Sequence, residues 1–142
     1  MGETTDPGSL AAALNRALPL VARDAVALSV VAGTLPGPQG IALAEPLREM
    51  ATANLRDVER LAARVASVGG TPSLAIDEPA LPKTWSASVK RLLADGQKTL
   101  QELVDAIPAD ADDPEGEATE HLLEHMVNRK RAELELLERA LR

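Results

Sequence analysis

The chain has 142 residues, of which 22 are acidic and 15 basic, for a net charge of −7 at pH 7. A field of this sign repels phosphate backbones, so the composition argues against nucleic acid as a partner. The lack of cysteine excludes disulfides and thiolate metal sites. Hydrophobic residues make up 45% of the chain and a single Trp is its one aromatic residue, a composition that favours helices over strands.

The N-terminus is acidic and polar, without a basic leader segment. We expect residues 1–8 to form a disordered tail and residues 9–142 to form one domain. No uncharged apolar run reaches the roughly eighteen residues that a membrane-spanning helix needs. The sequence therefore predicts a soluble, cytoplasmic protein with no membrane partner.

Apolar periodicity, broken by proline and glycine, predicts four helices. The first begins after Ser9 as N-cap and contains Pro19, where we expect a bend. The second ends at Gly69-Gly70, a pair typical of helix C-termini. The predicted helical ranges are 9–34, 39–68, 83–107 and 113–142.

The link between the second and third helices is long, polar and rich in proline. Its residues, 69–82, can span about 46 Å at roughly 3.3 Å per residue, which is close to the length of a thirty-residue helix. We therefore predict that this link crosses the length of the bundle and that the second and third helices are parallel.

Four polar residues interrupt the apolar stripes of two helices at the same i, i+3 spacing. Asn54 and Asp57 do so on the second helix, and Lys130 and Glu133 on the fourth. A polar group on a core stripe costs free energy unless it is paired. These four residues are therefore the candidate site.

The first helix is apolar on nearly every side from Leu20 to Ala32. A helix of this kind is buried on more than one face, which predicts a homodimer through the first two helices. The alternative is that alanine and serine dilute an ordinary amphipathic face.

Two stretches of the sequence resemble the ferritin-like superfamily. Residues 47–72 resemble the second helix of bacterioferritins, most specifically in the ending from Arg64 to Gly69-Gly70-Thr71-Pro72, and residues 121–137 resemble their fourth helix. The resemblance implies an all-α, ferritin-like four-helix bundle with a long crossover between helices 2 and 3. It also implies a Glu-x-x-His motif on each of these helices, binding two iron or manganese ions.

The ligand motifs are degenerate in this chain. Asn54 and Asp57 replace Glu and His on the second helix, and Lys130 and Glu133 replace them on the fourth. Val21 and Leu93 align with the ligands of the other two helices. Because an ammonium repels divalent metal, we hypothesise that Lys130 pairs with Asp57, Glu133 or both in a buried ion network. The alternative is that these long side chains extend to solvent.

Two functions follow from this resemblance. The first is a non-catalytic bundle that has lost its di-iron centre, binds no cofactor, and serves as a binding, scaffold or assembly protein for an unidentified protein or small-molecule partner. The second is a metal-binding protein or oxidoreductase with iron or manganese at a remodelled site of Asp24, Asp57 and Glu133. Leu55 aligns with the haem-binding methionine of bacterioferritins, which argues against haem.

Other patterns in the fourth helix are weaker. His121, Glu124 and His125 match the His-x-x-Glu-His pattern of some zinc proteases, but both histidines are predicted to lie on the solvated face. The chain stops after the fourth helix, without the fifth short helix of cage-forming relatives, so a small oligomer is expected rather than a shell. The acidic charge argues against a DNA-binding, Dps-like role.

Overall fold

The computed structural model describes residues 6–78, 81–109 and 112–142. In these ranges the chain forms four helices and no strand. The helices are α1 (Pro7–Thr34), α2 (Gly37–Ser67), α3 (Trp85–Ala106) and α4 (Pro114–Ala140). The all-α prediction is confirmed, and each helix begins and ends within a few residues of its predicted limits.

The first helix begins earlier than predicted because Asp6, and not Ser9, caps it. The Asp6 carboxylate accepts hydrogen bonds from the backbone N–H groups of Gly8 and Ser9, at 3.3 and 3.2 Å. Pro7 and Gly8, assigned to the tail in the sequence analysis, thus form the first turn of α1. Residues 1–5, which make up most of the predicted disordered tail, lie outside the described residues.

The helices occupy the corners of the bundle in the order α1, α2, α4, α3. Side-chain contacts show the relative directions of the helices: Arg16 of α1 contacts Glu102 of α3, and Arg23 contacts Asp95. These pairs make α1 antiparallel to α3, and the short link at Leu35 and Pro36 makes α1 antiparallel to α2. The second and third helices are therefore parallel, as predicted.

Glycine shapes both ends of α2. A Cβ on Gly40 would lie 2.4 Å from the Leu35 carbonyl oxygen, so only glycine fits where α2 turns away from α1. At the other end, Gly69 has a φ of +84°, the left-handed conformation of a helix stop. The crossover that follows is held by Asn15, whose side chain bonds the backbone of Thr71 and Ser73 at 2.9 Å.

The hydrophobic core is divided into two clusters along the bundle. One contains Leu14, Leu18, Leu61, Leu103 and Leu123, among others, and the other contains Leu28, Leu47, Leu92, Leu134 and Leu137, among others. On every helix the residues between the two clusters include buried or partly buried polar side chains. We call these residues the polar layer: Arg23, Asp24, Asn54, Asp57, Asp95, Thr99, Lys130 and Glu133.

The apolar character of α1 is marked enough that this helix, alone in the described part of the chain, could span a membrane by length and composition. Half of its most apolar stretch is buried inside the bundle. Core helices of soluble bundles pass the same test, so the predicted absence of a membrane partner stays a prediction.

Candidate functional site

Lys130 lies at the centre of the polar layer and is only 3% exposed. Its ammonium donates three hydrogen bonds, to Asn54 Oδ1 at 2.8 Å, Glu133 Oε1 at 3.0 Å and Asp24 Oδ2 at 3.1 Å. An ammonium has three N–H donors, so each has a partner. The acceptors come from α2, α4 and α1, and the ammonium therefore joins three helices at one point.

Asn54 completes this arrangement because its side-chain oxygen accepts from Lys130 and both of its N–H groups donate hydrogen bonds. Its Nδ2 donates to Glu133 Oε2 at 3.0 Å and to the carbonyl oxygen of Met50, one turn earlier, at 2.8 Å. The Glu133 carboxylate therefore accepts from Lys130 on one oxygen and from Asn54 on the other. Such closed networks fix side-chain conformations inside a core.

The polar layer continues from Asp24 into α3. Arg23 donates to Asp24 at 3.4 Å, to the Asp95 carbonyl oxygen at 3.0 Å and to Thr99 at 3.4 Å. Asp95 in turn accepts from Arg91 at 3.1 Å. Arg23 Nε is buried and has no hydrogen-bond partner among the described residues.

Asp57 belongs to a separate part of the layer. Sequence reasoning offered it as a partner of Lys130, but no hydrogen bond joins the two among the described residues. Its Oδ1 instead accepts from Arg60, one turn along α2 at 3.3 Å, and from Arg129 of α4. The reason is geometric, since Arg129 and Lys130 point to different sides of α4 and Asp57 lies on the side of Arg129.

Burial raises the pKa of both carboxyl groups of the predicted site, those of Asp57 and Glu133. For Glu133 the desolvation outweighs the opposing effect of the Lys130 charge and of the bonds from Lys130 and Asn54. For Asp57 it outweighs the charges of Arg129 and Arg60. In both cases the cost of removing a carboxylate from water is the larger effect.

The remaining predicted residues fall where their patterns indicated. Val21 is buried in the first core cluster, and Leu93 packs against the second. His121 and His125 are exposed on α4. Within residues 6–78, 81–109 and 112–142, no three His, Asp or Glu side chains are grouped closely enough to hold a metal ion.

Sequence reasoning missed the α3 residues of the polar layer and the arginines that belong to it or bind it. A signal existed for Asp95 and Thr99, which interrupt the apolar series of α3 between Leu92 and Leu103. Arg60 follows Asp57 at i, i+3, a spacing typical of helix ion pairs. Nothing local to the sequence marks Arg23 or Arg129, because their partners are on other helices.

Comparison with solved structures identifies the fold. A ferritin-like, diiron-carboxylate protein from Bacillus anthracis str. Ames superposes with a TM-score of 0.88 at 17% identity, over 99% of this chain and 100% of that one. A Dps protein from Bacillus brevis gives 0.84 at 26% identity, over 99% of both chains. A bacterioferritin from Rhodobacter capsulatus gives 0.80 at 17% identity, over 98% of this chain and 86% of that one.

No family model matches the sequence, and no curated protein matches it. The structural likeness nevertheless extends over nearly the whole chain. The protein has the ferritin-like four-helix bundle fold, with the long crossover between α2 and α3. Its structural neighbours include both Dps and bacterioferritin proteins.

Proposed function

We propose that the protein is a non-catalytic ferritin-like bundle in which a buried ion network around Lys130 takes the place of a di-iron centre. Its role is then binding, scaffolding or assembly. The observation that carries the proposal is the Lys130 ammonium, buried at mid-bundle with three acceptors from three helices. A cation at this place cross-links the helices, which is the structural part of what a metal pair does.

The donor set supports the same conclusion. A dinuclear iron centre needs several carboxylates and imidazoles directed at one point. Here two carboxylates, Asp24 and Glu133, meet at Lys130, while Asp57 is engaged by two arginines. The residues present therefore do not fit two iron ions, because the carboxylates already neutralise fixed cations and the added metal charge would face an ammonium.

The charges around Lys130 are also balanced without a metal. Lys130 and Arg23 supply two positive charges, and Asp24 and Glu133 supply two negative ones. A buried site whose charges are paired, and whose central ammonium has an acceptor for each of its three donors, has little electrostatic reason to recruit a cation.

An exposed apolar groove supports assembly as the role. Val26 and Leu55 are 49% and 63% exposed on adjacent faces of α1 and α2. They line a groove of about 280 Å³ together with Ala25, Ser29, Val30, Ala51 and Thr52. Apolar surface of this kind is typical of protein interfaces. The proposed occupant is a second copy of the chain, giving a cytoplasmic homodimer through α1 and α2.

Metal analysis of protein purified without chelator tests the loss of the centre. After equilibration with Fe²⁺ or Mn²⁺ and gel filtration, we expect fewer than about 0.1 ions per chain by mass spectrometry. A stoichiometry of about one or two ions per chain would overturn the proposal and favour the alternative, an oxidoreductase using Asp24, Asp57 and Glu133.

A further inference from the structure

A second groove lies between α2 and α4, on the outside of the polar layer. Its volume is about 290 Å³, and its lining residues are Arg60, Leu122, His125 and Arg129. None of these side chains, among the described residues, is acidic. The groove is thus a basic and partly apolar site on a protein whose net charge is −7.

The buried Asp57 carboxylate holds the two arginines of this groove. Arg60 and Arg129 both donate to its Oδ1, so the two guanidinium groups lie side by side although they come from different helices. Asp57 is 7% exposed, whereas the side chains of Arg60 and Arg129 are 49% and 41% exposed. The carboxylate therefore forms the floor of the site, and the guanidinium groups reach solvent.

Two guanidinium groups on one carboxylate leave an excess of charge and of donors. Each guanidinium carries five N–H bonds, and among the described residues each of these two has Asp57 as its one hydrogen-bond acceptor. The ion pair between Arg64 of α2 and Glu115 of α4 differs, because it joins one arginine to one carboxylate. The surplus at Arg60 and Arg129 is accordingly a local feature and not a property of the whole interface.

We propose that this groove binds a small oxyanion, a phosphate or a carboxylate. Arg60 and Arg129 would each direct their free N–H groups at the anion, with His125 as a further donor and Leu122 against any apolar part of the ligand. The parallel N–H bonds of a guanidinium group match the spacing of two oxygens of a carboxylate or phosphate group. The volume suits a small molecule and lies at the lower limit of typical ligand pockets.

NMR titration tests this site with two probes, inorganic phosphate and acetate, at constant chloride concentration. We expect the Nε–H resonances of Arg60 and Arg129 to shift and saturate with at least one probe. Saturation with phosphate alone assigns a phosphate ligand, and saturation with acetate alone assigns a carboxylate ligand. Arg60→Gln and Arg129→Gln should each weaken binding at least about tenfold, and Arg129→Lys should weaken it less.

Arg56→Gln is the matched control. Arg56 is an exposed arginine one turn before Arg60 on α2, and its removal changes the net charge equally without touching the groove. It should change the dissociation constant by less than about twofold. Equal weakening by all three glutamine variants, or shifts that rise linearly without saturation, would overturn the proposal. Thermal unfolding of each variant verifies that the fold is retained.

Discussion

The Nζ atom of Lys130 and the Oδ2 atom of Asp24 lie 3.1 Å apart, although α4 and α1 occupy opposite corners of the bundle. This ion pair spans the diagonal between the two core clusters. It places the ammonium in the interior of the bundle, between the two clusters, where Lys130 is only 3% exposed. We therefore expect the pair and its neighbours to influence both the stability of the middle of the bundle and its affinity for cations.

Replacing Lys130 by methionine should lower the free energy of unfolding by about 3–5 kcal/mol, because the largely buried Glu133 would lose its cation and Asp24 would keep, among the described residues, only its longer contact with Arg23. Urea denaturation measures this change. Lys98→Met, at an exposed position on α3, should stay within about 0.5 kcal/mol of the parent protein. A Lys130→Met variant as stable as the parent would show that the network contributes nothing.

Removing the Glu133 charge should make stability less dependent on pH. Because burial raises the pKa of Glu133 in the folded protein, the folded state holds this proton more tightly than the unfolded state does. Its contribution to stability therefore falls as pH rises from the unfolded pKa to the raised folded pKa, and then levels off. Glu133→Gln has no such titration, so its stability relative to the parent should increase with pH across this window.

Denaturation midpoints measured from pH 4 upward, in steps of about half a unit, give this comparison. Glu138→Gln, on the exposed side of α4, supplies the baseline for removing a surface carboxyl. If the stability of Glu133→Gln relative to the parent fell as pH rose across this window, the raised pKa would be contradicted.

Replacing Lys130 by glutamate should create a metal site. The new carboxylate would lie beside Asp24 and Glu133, with the Asn54 carbonyl oxygen as a fourth oxygen ligand, a set suited to Mn²⁺. Without metal the variant should be less stable than the parent, since three carboxylates would repel one another. With Mn²⁺ at about 100 times the dissociation constant it should regain about 2.7 kcal/mol.

Unfolding followed with and without Mn²⁺ detects the gain, and the parent protein under the same conditions is the control. Lys130→Gln, which removes the cation without adding a carboxylate, separates the loss of positive charge from the gain of a ligand. If Mn²⁺ stabilised the parent and Lys130→Glu equally, the ion would be bound elsewhere.

A charge in the α1/α2 groove should abolish the proposed homodimer. Leu55 is 63% exposed and lines the groove, so Leu55→Glu would place a carboxylate in the proposed interface. Light scattering should give twice the 15.0 kDa chain mass for the parent and once for the variant. Leu74→Glu is matched in exposure, at 65%, and lies in the crossover. It should remain dimeric, and a parent protein that is monomeric at about 100 µM would refute the interface.

The four helices, the long crossover and the parallel directions of α2 and α3 could be predicted from the sequence, because they depend on local pattern and on the length of the link. Apolar residues at helical spacing determine which face of each helix is buried, and Pro and Gly mark where helices end. The same periodicity singled out Asn54, Asp57, Lys130 and Glu133, since each interrupts an apolar stripe. Their burial or partial burial follows from this register.

The pairing of these residues across different helices was decided by the tertiary structure. Asp57 pairs with Arg129 and not with Lys130, and Lys130 reaches Asp24 across the bundle diagonal. A hydrogen bond depends on distances of a few tenths of an ångström, which are set by the rotation and axial shift of each helix against its neighbours. Sequence periodicity determines which face of a helix is buried, but these rotations and shifts arise only when the four helices pack together.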